Sequence, residues 1–211
     1  MSCKNFDTLI VSGGSAPESF FMRDWNYTKI IAADSGYDTA KRLGIIPTDV
    51  VGDLDSTKFR DEIIRLGFKP CSHDKDQTDT ELAIMKKVGE YDLVGCGGGR
   101  LDHIFSVLTL FRKYDVPRYW FTDSDVLMGF NGGEGFLDAA VGTDFSILPI
   151  VAEANVFSDG FVWELGDRPL SPLFISQSNR NRKERVFLTS SAPILIRVAP
   201  SAFKPGMLHI L

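Results

Sequence analysis

"KIIAADSGYDTAKRLGIIPTDVVGDLDS", residues 29–56, carries an apolar run, an amphipathic stretch over 37–43 and a second apolar run opening at Asp49. Both runs are rich in Ile and Val with little polar alternation, as strands covered on both faces require. Strand, helix, strand is the βα grammar of a parallel sheet. It extends outward in both directions. "DTLIVSGG" (7–14) precedes it; "YDLVGCGGG" (91–99) and "RYWFTDS" (118–124) follow as further strands. Helix-like stretches fall at 57–66, 79–89 and 101–114, and in the last of these Ile104, Phe105, Leu108 and Phe111 share one face at helical spacing. Nearly every strand closes on Gly, Asp or Ser. Open parallel sheets bind ligands there, outside the carboxyl ends of their strands.

After about residue 124 helical periodicity fades. "GFVWEL" (160–165) alternates Phe161, Trp163 and Leu165, and "RVFLTS" (185–190) and "ILIRVA" (194–199) behave similarly. These read as antiparallel strands of a small sandwich or barrel. "SNRNRKER" (178–185) is the most charged stretch and reads as a solvated hairpin loop. The expectation is an α/β domain over 1–123 followed by an all-β domain over 124–211, with no internal repeat.

Bulk properties narrow the function. The 211 residues include 23 basic and 28 acidic ones, for a net charge of −5, and no basic stripe argues for a nucleic-acid surface. Cys3, Cys71 and Cys96 are odd in number and lack metal-site or disulfide spacing, which fits a reducing cytosol. No apolar run approaches the ~20 residues of a membrane span, and the first residues lack a signal-peptide core. A soluble cytoplasmic protein is expected.

Four acids crowd the middle of the α/β half: Asp53 and Asp55 in "GDLDST", Asp76 and Asp79 in "DKDQTD". Asp53 and Asp55 point to one side if the backbone is extended; Asp76 and Asp79 share a face if a helix starts there. Magnesium takes oxygen ligands and is held by one or two carboxylates together with substrate phosphates. Two acidic loops at neighbouring strand ends supply such a site. The plainer alternative is helix capping, with Ser56 opening helix 57–66 and Thr78 with Glu81 forming a capping box.

"GCGGGRLDH" (95–103) adds a glycine-rich turn ahead of a helix. Gly98 and Gly99 let the backbone approach a phosphate, the helix start offers free N–H groups, and Arg100 can make a bidentate contact. It is not a P-loop, since the Gly-Lys-Ser/Thr ending is absent. Asp34 in "ADSG" stands where a ribose hydroxyl or phosphate-bound water is held, or where Asp-Ser-Gly makes a plain turn.

Together, A-A-D-S-G at 32–36, G-D-L-D-S at 52–56, D-K-D-Q-T-D at 74–79 and G-G-G-R-L-D-H at 97–103 resemble the thiamine pyrophosphokinase family in order and spacing. A thinner likeness continues through "FVWEL" and "ISQSN" (175–179). The resemblance implies an N-terminal parallel, Rossmann-like α/β domain, a C-terminal antiparallel β-sandwich that binds thiamine, and a homodimer with active sites at the subunit interface. It implies Mg2+ as cofactor and ATP as co-substrate, with diphosphate passing to the thiamine hydroxyl and AMP leaving. Asp53, Asp55 and Asp79 take metal and catalytic positions with Arg100. Asp34, Ser35, Gly36, Asp76, Gly98, Gly99, Arg100 and Asp102 take the nucleotide side. Trp163, Ser178 and Asn179 take the thiamine side, reaching across from the partner subunit. Lys75 stands where some members carry Gln. The alternatives are another heterocyclic alcohol as acceptor, such as a pterin, or a non-catalytic nucleotide-binding regulator.

Overall fold

The structure is a computed structural model that describes residues 6–20, 22 and 25–211; Cys3 lies outside them. The chain forms two compact units, one running to Leu110 and taking in Tyr119–Asp123, the other made of Phe111–Arg118 and Ser124–Leu211.

The first unit is built on β1 (Phe6–Ser12), β2 (Tyr27–Ala33), β3 (Asp49–Val51), β4 (Tyr91–Val94) and β5 (Tyr119–Phe121). They lie in the order β5-β4-β1-β2-β3, and every neighbouring pair is parallel. Leu9, Ile10, Val11, Leu93 and Val94 are fully buried in consecutive runs, as strands covered on both faces should be. Because all five strands run one way, their carboxyl ends share one edge of the sheet; three of the four motifs singled out in this half follow such an end, and the fourth, 74–79, lies between α2 and α3.

The helices are α1 (Gly36–Leu43), α2 (Arg60–Arg65), α3 (Asp79–Met85) and α4 (Leu101–Lys113). Two are shorter than their sequence patterns by several residues, and α4 by one. α3 stops at Met85, and α2 starts at Arg60 rather than 57. The expectation that Ser56 caps α2 is therefore corrected. Phe59 occupies the N-cap, and the Ser56 hydroxyl instead donates to Asp55 Oδ1 at 2.8 Å. Thr78 does cap α3, its Oγ1 accepting from the Glu81 N–H at 3.1 Å.

The second unit carries two separate antiparallel ladders. One has the order β10-β8-β12-β6, from β6 (Val126–Phe130), β8 (Asp144–Pro149), β10 (Ser176–Arg180) and β12 (Ile194–Val198). The other has the order β13-β7-β11-β9, from β7 (Gly133–Asp138), β9 (Val156–Asp159), β11 (Arg185–Ser190) and β13 (Leu208–Ile210). β11 alternates as its sequence does, burying Val186, Leu188 and Ser190.

Two expectations fail here. "GFVWEL" is not a strand: Phe161 is buried and makes one isolated bridge with Asn181, while Trp163 is 60% exposed. "SNRNRKER" is not a solvated hairpin loop. Its first residues belong to β10, Asn179 and Asn181 are buried, and 181–184 lead from one ladder to the other. The Asn181 amide donates to the carbonyls of Ala139, Ala140 and Lys183 at 3.2, 3.0 and 2.9 Å, satisfying backbone acceptors no ladder reaches.

Candidate active site

Four non-glycine residues among those described have positive φ: Asp34 (47°), Leu54 (62°), Cys96 (57°) and Ser178 (53°). Each lies in one of the stretches singled out above. Left-handed backbone at such residues costs on the order of 1–3 kcal/mol and persists where the surroundings hold it, commonly at functional sites. The first three follow the carboxyl ends of β2, β3 and β4, where the chain must turn sharply away from the sheet.

Between these turns lies a cleft of about 410 Å³. Ser12, Gly13 and Gly14 line it from the end of β1, Asp34 and Ser35 from the end of β2, and Asp79 and Thr80 from the start of α3. Cys96, Gly98, Gly99 and Arg100 close it from the end of β4, with His103 and Ser106 on α4. Gly98 and Gly99 take φ of 56° and 69°, which turns the backbone at the head of α4 as no ordinary side chain readily permits.

The acids gather, though not by an extended backbone. Gly52 and Leu54 turn with φ of 126° and 62°, correcting the expectation that alternation alone puts Asp53 and Asp55 on one side. Ligand atoms of Asp53, Asp55 and His73 still lie within 4.8 Å of one another. His73 Nδ1 is 3.5 Å from Asp53 Oδ2, and its Nε2 is 3.7 Å from Asp55 Oδ2. Lys75 Nζ is 3.1 Å from Asp79 Oδ1 and 3.8 Å from Asp53 Oδ2. A cation thus sits between carboxylates that would otherwise repel.

Two buried oxygens have no hydrogen-bond partner here: Asp34 Oδ1 and Asp79 Oδ1, the latter meeting Lys75 only as an ion pair. Burial pushes the Asp34 carboxyl above its ordinary range; the Ser35 N–H opposes this and the Asp79 charge adds to it. Burial also raises Asp79, with Lys75 pulling down and Asp53 and Asp55 pushing up. Carboxylate oxygens gathered without hydrogen-bond donors of their own, Asp34 Oδ1 and Asp79 Oδ1 among them, are a donor set suited to a hard divalent cation, so the residues present fit magnesium.

Arg100 and Asp102 form an exposed bidentate pair, Nε to Oδ1 at 3.1 Å and Nη2 to Oδ2 at 2.6 Å. Hydrogen bonding from Arg100 holds the Asp102 carboxyl below its usual range. Asp76 is exposed and outside the cleft lining. Gly36 does not line it either; a Cβ there would lie 2.1 Å from Val11 O, so its hydrogen is what lets α1 start against β1.

In the second unit, Trp163 stands on a loop after β9. Asn179, 1% exposed, holds that loop through one amide: Nδ2 donates to Trp163 O at 2.7 Å, and Oδ1 accepts from Trp163 N at 3.2 Å. Glu164 braces the next position, accepting from Ser158 Oγ, Gly160 N and Arg182 Nη2 at 2.6, 2.9 and 2.7 Å. An exposed indole on so constrained a backbone is a preorganised apolar surface. Ser178 sits in the β10 irregularity between Ser176 and Asn179, its N–H donating to Ser146 Oγ at 3.2 Å.

Sequence reasoning missed His73, Lys75 as a partner of the acids, Thr80, Cys96 and Ser106. It also passed over "SGGS" (12–15), whose small residues at a strand end gave the same signal as "GCGGG".

Residues 22–119 match the family model described as thiamin pyrophosphokinase, catalytic domain. The thiamine pyrophosphokinase of Bacillus subtilis (strain 168) is 33% identical over 95 residues, which span 41% of this chain and 44% of that relative. The matched stretch is thus less than half the relative's length. Thiamin pyrophosphokinase from Geobacillus thermodenitrificans superposes with a TM-score of 0.70 at 23% identity, covering 96% of this chain and all of that one (100%). The Candida albicans structure gives 0.72 at 15% identity, covering 93% and 90%. At such identities these two likenesses establish the fold. With the family model and the B. subtilis relative, they bear out the resemblance carried by the four motifs.

Proposed function

We propose that this chain is a thiamine diphosphokinase, moving the diphosphate of ATP to the hydroxyl of thiamine and releasing AMP. The observation that carries this reading is the convergence of four separate motifs on one cleft beside a cluster of partly buried carboxylates. Asp53, Asp55 and Asp79 would hold Mg2+, which when bound neutralises charge on the phosphates. Arg100, released from Asp102, and the N–H groups of Gly98 and Gly99 would take the remaining phosphate charge. Asp34 and Ser35 would fix the nucleotide from the end of β2, and Asp102 would hold the guanidinium ready until the phosphates take it over. Catalysis of this type rests on positioning and charge neutralisation rather than on a covalent intermediate. In this reading the N-terminal half, 1–123, is a Rossmann-like nucleotide domain. The C-terminal half, 124–211, is a β-sandwich serving thiamine binding and dimerisation of a cytoplasmic homodimer. No helix among the described residues is long and apolar enough to cross a membrane.

The test is product analysis with ATP, magnesium and thiamine. AMP and thiamine diphosphate in equal amounts are expected; ADP in their place overturns the reaction. Trp163 is read as the surface on which the cationic heterocycle stacks. Such contacts are worth about 0.5–2 kcal/mol, so Trp163→Ala should raise the thiamine KM about tenfold and leave the ATP KM alone. Steady-state kinetics in both substrates checks this, and an unchanged thiamine KM removes Trp163 from the acceptor site. Asn179 acts through Trp163: its side chain is spent on the loop backbone and positions the indole.

A further inference from the structure

Lys75 lies where a divalent cation would be expected. Its side chain is only 15% exposed, and its ammonium is 3.1 Å from Asp79 Oδ1, 3.8 Å from Asp53 Oδ2 and 3.2 Å from the Ser72 carbonyl it donates to. Asp79 Oδ1 is buried and accepts no other hydrogen bond, so the Lys75 ammonium is what balances its charge. An ion drawn to these same carboxylates would come within a few ångströms of Nζ, where like charges repel strongly. Ammonium and dication therefore cannot share the cluster in this arrangement. The lysine stem is flexible, and its charge follows the nearest strong acceptor.

We propose that Lys75 is a resident counter-cation of the acidic cluster that gives way to a divalent ion and carries its charge to a phosphate oxygen of the nucleotide. The first half needs only the geometry above; the second rests on the nucleotide reading of the cleft, which Asp79 lines. The exchange has two consequences of opposite sign. An intramolecular competitor lowers apparent metal affinity by the ratio of its docked to undocked states, so removing it tightens metal binding. Removing it also deletes a phosphate contact, so nucleotide binding weakens. Loss of a merely structural lysine would weaken both.

The experiment titrates the full chain with MnCl2 alone, followed calorimetrically, and then with ATP while MnCl2 is held at saturation, so that the ammonium is released before the nucleotide arrives. Lys75→Met should bind Mn2+ about tenfold more tightly and ATP about tenfold more weakly, whereas Lys75→Arg should stay near the parent in both. Unchanged or weaker Mn2+ binding in Lys75→Met that melts cooperatively overturns the exchange. Unchanged ATP affinity overturns the phosphate contact. A measurement on the unmutated protein covers the case in which the variant does not fold. Mn2+ should speed reductive methylation of Lys75, read by peptide mass spectrometry, because the ammonium is released; equal or slower labelling overturns the proposal. None of these titrations contains thiamine. Failure to form AMP would thus remove the proposed reaction without touching the metal exchange, and the converse also holds.

Discussion

Asp53→Asn is expected to lower AMP formation about a thousandfold while leaving the thermal midpoint at or slightly above that of the parent. The size follows from removing one preorganised charged group from the phosphate-handling centre, worth about 3–4 kcal/mol of transition-state stabilisation. The unchanged stability follows from how the loop is held. Arg60 Nη1 donates to the carbonyls of Asp53 and Leu54 at 2.7 and 3.0 Å, and Cys71 N–H donates to Gly52 O at 2.7 Å. The turn is fixed through its backbone, so an isosteric amide leaves it in place. The substitution also removes a carboxylate whose charge disfavours ionisation of Asp79. Product analysis and a thermal melt on one preparation decide the matter. Turnover within tenfold of the parent contradicts the metal role, and loss of the cooperative melt contradicts the claim that the backbone alone shapes the turn.

The same contrast between side chain and backbone explains what was legible in the sequence. β1 to β5 could be read because strands buried on both faces leave unbroken runs of Ile, Val and Leu, and their ends because turning off the sheet requires Gly, Asp and Ser. Each motif alone was equally readable as a turn or a helix cap; what made them readable as chemistry was their occurrence together, in order and at matching spacing. Convergence at the strand ends was expected, but the neighbours that produce it were not readable. That Asp34, Asp79 and Gly98 border one cleft follows from strand order β4-β1-β2-β3, which no local pattern encodes. Nor was the partner of the acids: Lys75 sits four residues before Asp79, an ordinary spacing whose meaning depends on Asp53 arriving from another loop.

The second unit misled for a different reason. In "GFVWEL" the alternation of Phe161 and Trp163 mimics a strand, yet one ring fills the core and the other stands on a loop clamped by Asn179. In "SNRNRKER" the charges mask two buried asparagines, whose amides substitute for missing ladder partners. Composition reports the average character of such a stretch, whereas burial is decided residue by residue through hydrogen-bond partners far along the chain.

Gly36→Ala should be among the most destabilising single methyls in the first unit, and it acts through collision alone. A Cβ at Gly36 would stand 2.1 Å from Val11 O, 2.7 Å from Val11 C and 2.8 Å from Ser12 Cα. All three are backbone atoms, and none can step aside, because Val11 is registered with Ala32 of β2 on one side and Val94 of β4 on the other. The strain must therefore move α1, dragging buried Tyr37 and Ala40 out of place. Overpacking against side chains costs about 1–3 kcal/mol. A collision with a central strand should exceed that, against a total stability of about 5–15 kcal/mol. Gly67→Ala separates this from backbone conformation: its φ is 92°, but an added Cβ meets nothing within 4 Å. It should cost only about 1 kcal/mol, from left-handed strain alone. Denaturant midpoints for the two variants make the comparison. Because Asp34 and Ser35 immediately precede α1 and line the cleft, any Gly36→Ala protein that still folds should also lose ATP affinity, whereas Gly67→Ala should keep it. If Gly36→Ala melts within about 0.5 kcal/mol of the parent, the close approach of α1 to β1 is not what fixes this wall of the cleft.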